Sequence, residues 1–298
     1  MDKNKKLTYL ITVSRKHLIP CSFLLRTLIN KTNKNIILVG NLKNKDKKDL
    51  LRFGKNISYI DENDINLSDR FPNVKWKVKF REVGWYKQMF IRLSIDRFID
   101  SDYVVILDSE VFVFDNWNEN LFFQKNGNPR CFYWIPKIRK PAWDYRMYKG
   151  AAFLFQYLPE FKNVMKYANS NRFKRHISGM VLFSTKNIKY LWDQLEFKTD
   201  LQKNIDVLFN QTLDLAFCDH DFYGIAIDYG FFNKVVPTKL HNNLLGWYDN
   251  HDDPNFHKFK QNAMWSMCQK YFEFPTISSY QNYMEKIALE LDRKLPRI

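Results

Sequence analysis

One run of apolar residues, Tyr103 to Leu107, limits what this chain can fold into more than any other segment. Because no polar residues alternate with it, the run predicts a strand that is buried on both faces of a parallel sheet. The run ends in Asp108-Ser109-Glu110, and carboxylates beside a buried strand are costly unless they face a cleft, a cation or a hydrogen-bond donor. In extended chain, Asp108 and Glu110 point to the same side, roughly 7 Å apart. One of them could then hold a divalent metal ion while the other holds a polar group of a ligand.

Strand-like and helix-like segments alternate through the first hundred residues. We predict strands at residues 7–14, 35–39 and 57–60, and helices at residues 21–30, 46–53 and 85–99. This order is typical of an α/β fold with an open, mixed but mostly parallel central sheet, flanked by helices and joined by right-handed crossovers. Ligands of such folds bind at the carboxyl ends of the strands, which is where residues 12–15, 61–64 and 108–110 fall.

The second half of the chain is less regular. We predict strands at residues 131–135, 179–184 and 235–237, and helices at residues 188–195, 205–227 and 280–291. Neither an internal repeat nor a low-complexity linker divides the sequence, so we expect a single domain over residues 1–298. Residues 247–274 are rich in aromatic side chains, which stack on sugar faces, dock on anionic membranes or pack against the sheet.

Glycine and cysteine usage argues against several kinds of site. The chain has nine glycines and neither of the phosphate loops GxGxxG and GxxxxGK[ST], so we expect a metal ion and cationic side chains to hold any phosphate. The four cysteines are widely spaced, which argues against zinc sites and disulfides and favours reduced thiols in the cytosol.

The amino-terminal region does not have the pattern of a targeting segment. Residues 7–13 are too short and too polar for a signal peptide. No window approaches the roughly 18 consecutive apolar residues of a spanning helix. We therefore expect a soluble, cytoplasmic protein.

The formal net charge is +15, and basic residues cluster at 3–6, 31–48, 75–81 and 137–149. Lysines on solvated surfaces would explain this charge, and so would contact with an anionic membrane or a polyanionic acceptor. No helix-turn-helix, zinc or RNP motif accompanies the charge, so no nucleic-acid partner is expected. If the partner is an anionic membrane, we expect a peripheral contact through the basic surface.

Three further stretches are similar to segments of a known family: GWYKQMFIRL at residues 84–93, ISGMVLFST at 177–185 and CDHDFYG at 218–224. Together with the D-x-D-like motif at 108–110, and in this order over residues 5–250, they resemble GT-A-type glycosyltransferases, in particular those that build bacterial and viral surface glycans. The chain departs from the family pattern at Glu110, where aspartate is usual, and at Ile177, where asparagine is usual. Asp219 and Asp221 replace the usual glutamates.

The resemblance implies a Rossmann-like GT-A fold in one domain, with a nucleotide-binding donor half at residues 5–115, an acceptor half at 116–250 and an aromatic and helical tail at 251–298. It implies transfer of a sugar from a nucleotide-sugar, a UDP-sugar by family frequency, to a hydroxyl of a glycan acceptor. That acceptor would be a surface polysaccharide or a protein-linked oligosaccharide. Mn²⁺ or Mg²⁺ would neutralise the leaving diphosphate as a Lewis acid, and hard oxygen ligands suit both ions.

By the same resemblance, Asp108 would hold ribose or sugar hydroxyls beside the metal ion, and Glu110 would ligate that ion. A histidine late in the chain often supplies a further ligand in the family. We expect His241 in this role, with His251 as the alternative.

An acceptor hydroxyl needs a general base within hydrogen-bond reach, and Asp219 and Asp221 are the candidates. Because residues two positions apart on a helix are separated by about 200°, the two side chains face apart and at most one is catalytic. Position in the motif favours Asp219. With such a base the reaction is a direct inverting displacement, whereas retention of configuration becomes the expectation if neither carboxylate reaches the anomeric carbon.

The predicted helix before residue 103 carries a polar line of Gln88, Arg92 and Asp96. One explanation is a solvated stripe with Arg92 and Asp96 as a surface ion pair. The other is that Trp85, Gln88 and Arg92 face the nucleotide or the sugar. The remaining donor-site candidates lie near strand ends: Thr12, Ser14, Arg15, Asp61, Ser109, His176, Ser178 and Gly179.

Two other functions compete with glycosyl transfer. A nucleotidyltransferase also places carboxylates at strand ends of an α/β sheet, but it should carry a glycine-rich loop after the first strand, and LTYLITVSRKH has no glycine. A non-catalytic glycan- or membrane-binding protein on the same fold is favoured by the basic charge, and resemblance of fold alone does not exclude it.

Overall fold

The computed structural model of the chain describes residues 5–71, 83–135, 142–168, 173–176, 179–210, 215–239, 246–247, 265–267 and 276–290. The strands within these residues are β1 (Leu7–Thr12), β2 (Asn35–Gly40), β3 (Ile57–Asp61), β4 (Tyr103–Asp108), β5 (Val111–Val113), β6 (Arg130–Tyr133), β7 (Met180–Ser184), β8 (Val236–Lys239), β9 (Gly246–Trp247) and β10 (Trp265–Met267). The α-helices are α1 (Leu18–Ile29), α2 (Asn44–Leu51), α3 (Val83–Arg92), α4 (Ala142–Phe153), α5 (Val164–Ala168), α6 (Thr185–Lys198), α7 (Leu201–Asn210), α8 (Asp219–Asp228) and α9 (Ile277–Glu290).

Five strands form the central sheet in the order β3-β2-β1-β4-β7. The first four are parallel to their neighbours, and β7 runs antiparallel to β4. The prediction of a mixed, mostly parallel sheet flanked by helices is therefore confirmed. The register pairs Thr12 with Asp108, so the carboxyl ends of β1 and β4 lie side by side.

Alternate residues of β4 are buried on opposite faces of this sheet. Val104 and Ile106 pack in a core with α3, α4, α6 and α8, whereas Val105 and Leu107 pack in a core with α1 and α2. All four side chains are fully buried, and burying an aliphatic side chain of this size stabilises a fold by about 1.5–3 kcal/mol. Helices cover both faces of the strand, which explains why its sequence does not alternate.

The helix predicted over residues 85–99 is wrong at its carboxyl end. Helix α3 ends at Arg92, and a separate 3-10 turn follows at Ile95–Arg97. Two buried side chains bind the carbonyl oxygen of Leu93: Trp192 Nε1 donates to it at 2.8 Å and Arg70 Nη1 at 3.3 Å. Carbonyls at a helix end lack intrahelical partners, so these two donors stabilise the end of α3 where the local sequence does not.

The helix predicted over residues 205–227 is two helices, α7 and α8, and residues 215–218 between them are not helical. Ala216 N donates to Arg146 O of α4 at 3.2 Å. A Cβ on Gly150 of α4 would lie only 1.7 Å from Ala216 O. The chain thus passes against the α4 backbone at a point where only glycine leaves room, and this contact replaces helical pairing before α8.

The remaining strands form two small sheets among the described residues, one with the order β5-β10-β9 and one in which β6 pairs with β8. The strands and helix predicted near β6, β7, β8 and α9 are confirmed, whereas α4 and α5 were not predicted. No described helix is long and apolar enough to cross a membrane. Cys21, Cys131 and Cys218 are buried free thiols, as predicted; Cys268 lies outside the described residues.

Candidate functional site

A buried arginine connects the carboxyl ends of β1 and β4. Arg92, the last residue of α3, donates from Nη2 to Thr12 Oγ1 at 2.8 Å and to Asp108 Oδ1 at 2.6 Å. The Arg92 side chain is only 3% exposed, whereas that of Asp108 is 22% exposed. Asp108 is therefore fixed by the arginine on one side and still reachable from solvent.

The same guanidinium extends to the first turn of α8. Arg92 Nη1 lies 3.7 Å from Asp219 Oδ2, and the Asp219 side chain is 1% exposed. Burial by itself lowers the pKa of Arg92, but the charges of Asp108 and then Asp219 outweigh burial and raise that pKa above its usual value. Arg92 thus stays charged and holds two carboxylates that are far apart in the sequence.

This arrangement decides between the two explanations of the polar line on α3. The prediction of a surface ion pair between Arg92 and Asp96 is wrong. Asp96 accepts two 3.0 Å hydrogen bonds from Arg70, and both of these side chains are buried. Gln88 Oε1 accepts a long hydrogen bond of 3.4 Å from Thr12 Oγ1. Trp85 is half-buried and packs near Cys218, the residue before Asp219. Trp85, Gln88 and Arg92 therefore face the carboxyl end of β1 or the amino-terminal end of α8, whereas Asp96 pairs with Arg70 instead.

Glu110 does not extend β4 as the sequence suggested. Ser109 and Glu110 form a turn between β4 and β5, so the estimate of a 7 Å separation in extended chain does not apply. Ser109 Oγ donates to Glu110 Oε2 at 3.0 Å. Burial, and then the charge of Asp108, raises the pKa of Glu110 to about 7.

These carboxylates fit a divalent cation, since a nearby positive charge would favour the ionised form that burial and Asp108 disfavour in Glu110. Within the described part of the chain, no group of three or more His, Cys, Asp or Glu residues is arranged to hold a metal ion. The predicted ligand His241 and its alternative His251 both lie outside the described residues. A third ligand from the chain would have to come from such a segment.

Gly179 lies directly beside Asp108. Its carbonyl accepts a 2.9 Å hydrogen bond from Asp108 N, and its φ of 66° is in the left-handed region that favours glycine. The glycine thus lets the chain turn into β7 next to the exposed carboxylate. Ile177 and Ser178 lie outside the described residues.

The two candidate bases have different surroundings. Asp221 is fully buried: Arg175 Nε donates to its Oδ2 at 3.0 Å and to its Oδ1 at 3.3 Å, and His176 N donates to Oδ1 at 2.9 Å. These bonds hold the first turn of α8 against residues 173–176. Asp219 instead faces Arg92, so Asp219 remains the candidate for a role in the reaction.

Sequence reasoning missed two residues of this region, Arg175 and His220. His220 is 3% exposed, its Nε2 lies 3.8 Å from Asp219 Oδ2, and its ring meets Phe183 edge-on. Its position between two aspartates already under consideration was the available signal. Arg175 has no such signal, because its partner Asp221 is 46 residues away in the sequence.

Several buried polar atoms around Arg92 lack a hydrogen-bond partner among the described residues: Arg92 Nε, Asp219 Oδ2, His220 Nδ1 and His220 Nε2. Buried polar groups without partners cost free energy and are uncommon in folded proteins. A ligand with several hydroxyl groups would satisfy them. The cluster thus has hydrogen-bonding capacity, beside two carboxylates, that the described residues leave unused.

The other predicted donor-site residues are more scattered. Ser14 Oγ hydrogen-bonds His17 Nδ1 at 2.8 Å, and Arg15 is exposed in the 3-10 turn that follows β1. Asp61 ends β3, with two strands between it and β4. A hydrogen bond from Asn63 N, and then one from Lys47 Nζ at 3.0 Å, lowers the pKa of Asp61. The structure thus brings Thr12, Gln88, Arg92, Asp108, Gly179 and Asp219 together but engages Asp61 and Asp221 elsewhere.

No protein-family model and no curated protein sequence matches the chain. Solved structures do resemble it, including those of two glycosyltransferases. A crystal structure of the galactosyltransferase LgtC in complex with donor and acceptor sugar analogs aligns over 96% of this chain and 95% of LgtC, with a TM-score of 0.52 and 14% sequence identity. An apo structure of the bifunctional glycosyltransferase WbbM aligns over 90% of this chain and 46% of WbbM, with a TM-score of 0.50 and 16% identity.

The chain has the GT-A fold. This confirms the fold that the motif resemblance implied. At such low identity the similarity concerns the fold alone, and one fold serves many functions. The fold by itself therefore does not establish an activity.

Proposed function

We propose that this GT-A-fold chain is a glycosyltransferase that moves a sugar from a nucleotide-sugar, a UDP-sugar, to a hydroxyl of a glycan acceptor. The observation that carries the proposal is the cluster in which Arg92 links Asp108 to Asp219. It places two carboxylates, one exposed and one buried, at the edge of the sheet where ligands of such folds bind. The GT-A fold supports the proposal.

The diphosphate end of the donor is assigned to the turn after β4. Glu110 and Asp108 would hold Mn²⁺ or Mg²⁺, with His241 as a third ligand, and the ion would neutralise the charge that develops on the leaving diphosphate. Thr12, Ser14 and Arg15 at the end of β1 would contact the nucleotide. Arg15 supplies an exposed cation for a chain that has no glycine-rich phosphate loop.

The sugar end is assigned to the buried cluster. Asp219 Oδ2 and the ring of His220 offer hydrogen-bonding atoms that the described part of the protein leaves without partners, and hydroxyl groups of a sugar would fill them. Arg92 holds Asp219 in place, so its carboxylate does not have to reorganise when substrate binds. In a direct inverting displacement, Asp219 would accept the proton of the attacking acceptor hydroxyl.

A panel of UDP-, GDP- and TDP-sugars with Mn²⁺ or Mg²⁺ tests the proposal. We expect slow hydrolysis of at least one donor by the wild type, and a loss of roughly a hundredfold or more in Asp108→Asn and Glu110→Gln, because both variants remove a charge from the cation site. Asp193→Asn, an exposed change on α6, is the matched control and should retain full activity.

Binding of no nucleotide under any metal condition would overturn the enzyme proposal and favour the non-catalytic alternative. Release of a sugar 1-phosphate and a nucleoside monophosphate, instead of a free sugar and a nucleoside diphosphate, would place the attack at phosphorus and indicate a nucleotidyltransferase. Once the acceptor is known, NMR of the product decides the stereochemistry. An inverted anomeric centre agrees with Asp219 as the base, whereas a retained centre would restrict Asp219 to binding and orienting the sugar.

A further inference from the structure

A concentrated positive charge lies on the side of the sheet opposite α3. Residues 26–55 contain nine Lys or Arg and only two Asp or Glu, so about a tenth of the chain carries seven of its fifteen net positive charges. We call the exposed residues Lys45, Lys48, Leu51, Arg52 and Lys55 the α2 face. Here Arg52 follows α2 directly and Lys55 lies in the turn after it.

The spacing of these residues places them together. Lys45, Lys48 and Arg52 are three and four positions apart, which puts them on one side of a helix, while Leu50 on the other side is buried in the core with α1. The Arg26 guanidinium of α1 stacks over the ring of Phe53 with 5.4 Å to the ring centre. The positive surface therefore continues from α2 onto α1.

Few carboxylates neutralise this surface. Asp49 pairs with Arg52 at 3.2 Å in an exposed contact, which contributes little in water. Lys47 is engaged with Asp61 at 3.0 Å. Lys45, Lys48 and Lys55 form no ion pair with any residue that the structure describes. The α2 face is consequently complementary in charge to an anionic partner.

An exposed leucine distinguishes a bilayer from a purely polar polyanion. Leu51 is 37% exposed and lies three positions after Lys48, so it is on the same side of α2 as the lysines. A short apolar insertion surrounded by long basic side chains is the pattern of a helix that lies in the interface of an anionic membrane. Lysine and arginine there keep their charge at the headgroups while their methylene stems stay among apolar groups.

We propose that the α2 face docks the protein peripherally on an anionic lipid bilayer. The inference goes beyond the proposed transferase function and does not depend on it. Only three residues separate the end of β2 from the start of α2, so one end of this face lies at the edge of the sheet that carries Thr12 and Asp108. Docking would thus bring the candidate site close to the plane of the membrane.

Co-sedimentation of the full-length protein with vesicles tests the proposal, using phosphatidylcholine alone and phosphatidylcholine with phosphatidylglycerol. We expect binding to the anionic vesicles only, and release at high salt because the attraction is screened. The triple variant Lys45→Glu, Lys48→Glu, Lys55→Glu should lower the partition coefficient by more than a hundredfold, since each basic residue near such a surface contributes about fivefold.

The matched control is the triple variant Lys162→Glu, Lys166→Glu, Lys186→Glu, which changes the net charge equally at exposed lysines elsewhere. It should retain most of the vesicle binding. Leu51→Gln should weaken binding to vesicles severalfold and leave binding to heparin, a soluble polyanion, unchanged.

Equal losses in the two triple variants would overturn the proposal, because net charge rather than the α2 face would then govern binding. Vesicle binding that is insensitive to Leu51→Gln, with equally tight binding to heparin, would overturn it in favour of a polyanion. Circular dichroism checks that all variants are folded. Donor hydrolysis should be unchanged in the α2 variants, so failure of this inference and failure of the transferase proposal are distinguishable.

Discussion

At the scale of single residues, Asp219 and Asp221 are two positions apart in the sequence but have different hydrogen-bond partners. Asp221 has both oxygens bound by Arg175 and by His176 N in a fully buried setting. Asp219 has a carboxylate oxygen without a hydrogen-bond donor among the described residues, facing Arg92. The first arrangement stabilises the fold, and the second leaves a group for a ligand.

Substituting each aspartate by asparagine should therefore affect a different property of the protein. Asp221→Asn should lower the free energy of unfolding by about 3–5 kcal/mol, because it removes the negative charge that Arg175 Nε binds in a fully buried setting. Asp219→Asn should cost less stability, since Asp108 still pairs with Arg92, but it should lower the rate of sugar transfer by about a hundredfold or more. Urea unfolding and the donor assay measure the two effects, and a stable, inactive Asp221→Asn would contradict this assignment.

At the scale of elements, α8 is packed tightly against residues 173–176, which include the two residues that bind Asp221. A Cβ on Gly224 would lie 2.0 Å from His176 Cγ, which no ordinary contact permits. A Cβ on Gly84 in α3 would have no neighbouring atom of a described residue within 4 Å, apart from its chain neighbours and the backbone of its own helix. These two helical glycines therefore form a matched pair for substitution.

Gly224→Ala should destabilise the protein by about 2 kcal/mol or more, because overpacking of a core forces side chains and backbone to shift. Gly84→Ala should stabilise it by about 0.5–1 kcal/mol, since alanine favours a helix and restricts the unfolded chain. Thermal unfolding of both variants measures the difference. A Gly224→Ala protein as stable as Gly84→Ala would show that α8 and His176 are not packed this closely.

The elements that could be predicted from the sequence are those whose buried residues form a recognisable pattern within the element itself. Strand β4 is such a case, because each of its residues meets a core on one face or the other. The end of α3 could not be predicted, since it depends on Trp192 and Arg70, which are distant in the sequence and bind Leu93 O. The break before α8 depends in the same way on Gly150 of α4.

The candidate site follows the same rule. Asp108 and Asp219 could be singled out from motifs, but the arginine that joins them could not. Helical spacing predicts an ion pair between Arg92 and Asp96, which are four residues apart. In the folded chain Asp96 pairs with Arg70 instead. Arg92 pairs with Asp108 and Asp219, which are 16 and 127 residues away in the sequence. Partner choice among buried charges is a property of the tertiary structure.

At the scale of the whole molecule, one buried histidine ties stability to pH. Burial, and then the charges of Lys174 and Arg175, lowers the pKa of His176 to about 3. In the unfolded chain the pKa of a histidine is about 6.5, so between these values the unfolded chain binds a proton that the folded protein does not. Stability from this group is complete above about pH 6.5 and falls as the pH drops.

Between pH 7 and pH 5, His176 should lower the free energy of unfolding by about 2 kcal/mol. Urea unfolding at the two pH values measures the effect. The raised pKa of Glu110 changes stability in the opposite direction over this interval, so the two proteins are compared with each other. The change in the free energy of unfolding from pH 7 to pH 5 should be about 2 kcal/mol more favourable to the folded state in His176→Gln than in the wild type. His17→Gln, at a half-exposed histidine, should keep most of the difference, and equal pH differences in the wild type and His176→Gln would contradict the prediction.

The antiparallel pairing of β7 with β4 has a consequence for the two halves of the protein. Strand β4 closes the amino-terminal half in sequence, yet its second neighbour in the sheet comes from residues 180–184. A fragment ending near residue 115 would therefore expose a long, apolar, unpaired strand edge, a surface that recruits strands from other copies. Residues 103–108 and 180–184 thus depend on each other within one sheet, and replacing either part of the chain would require another partner strand for the part that remains.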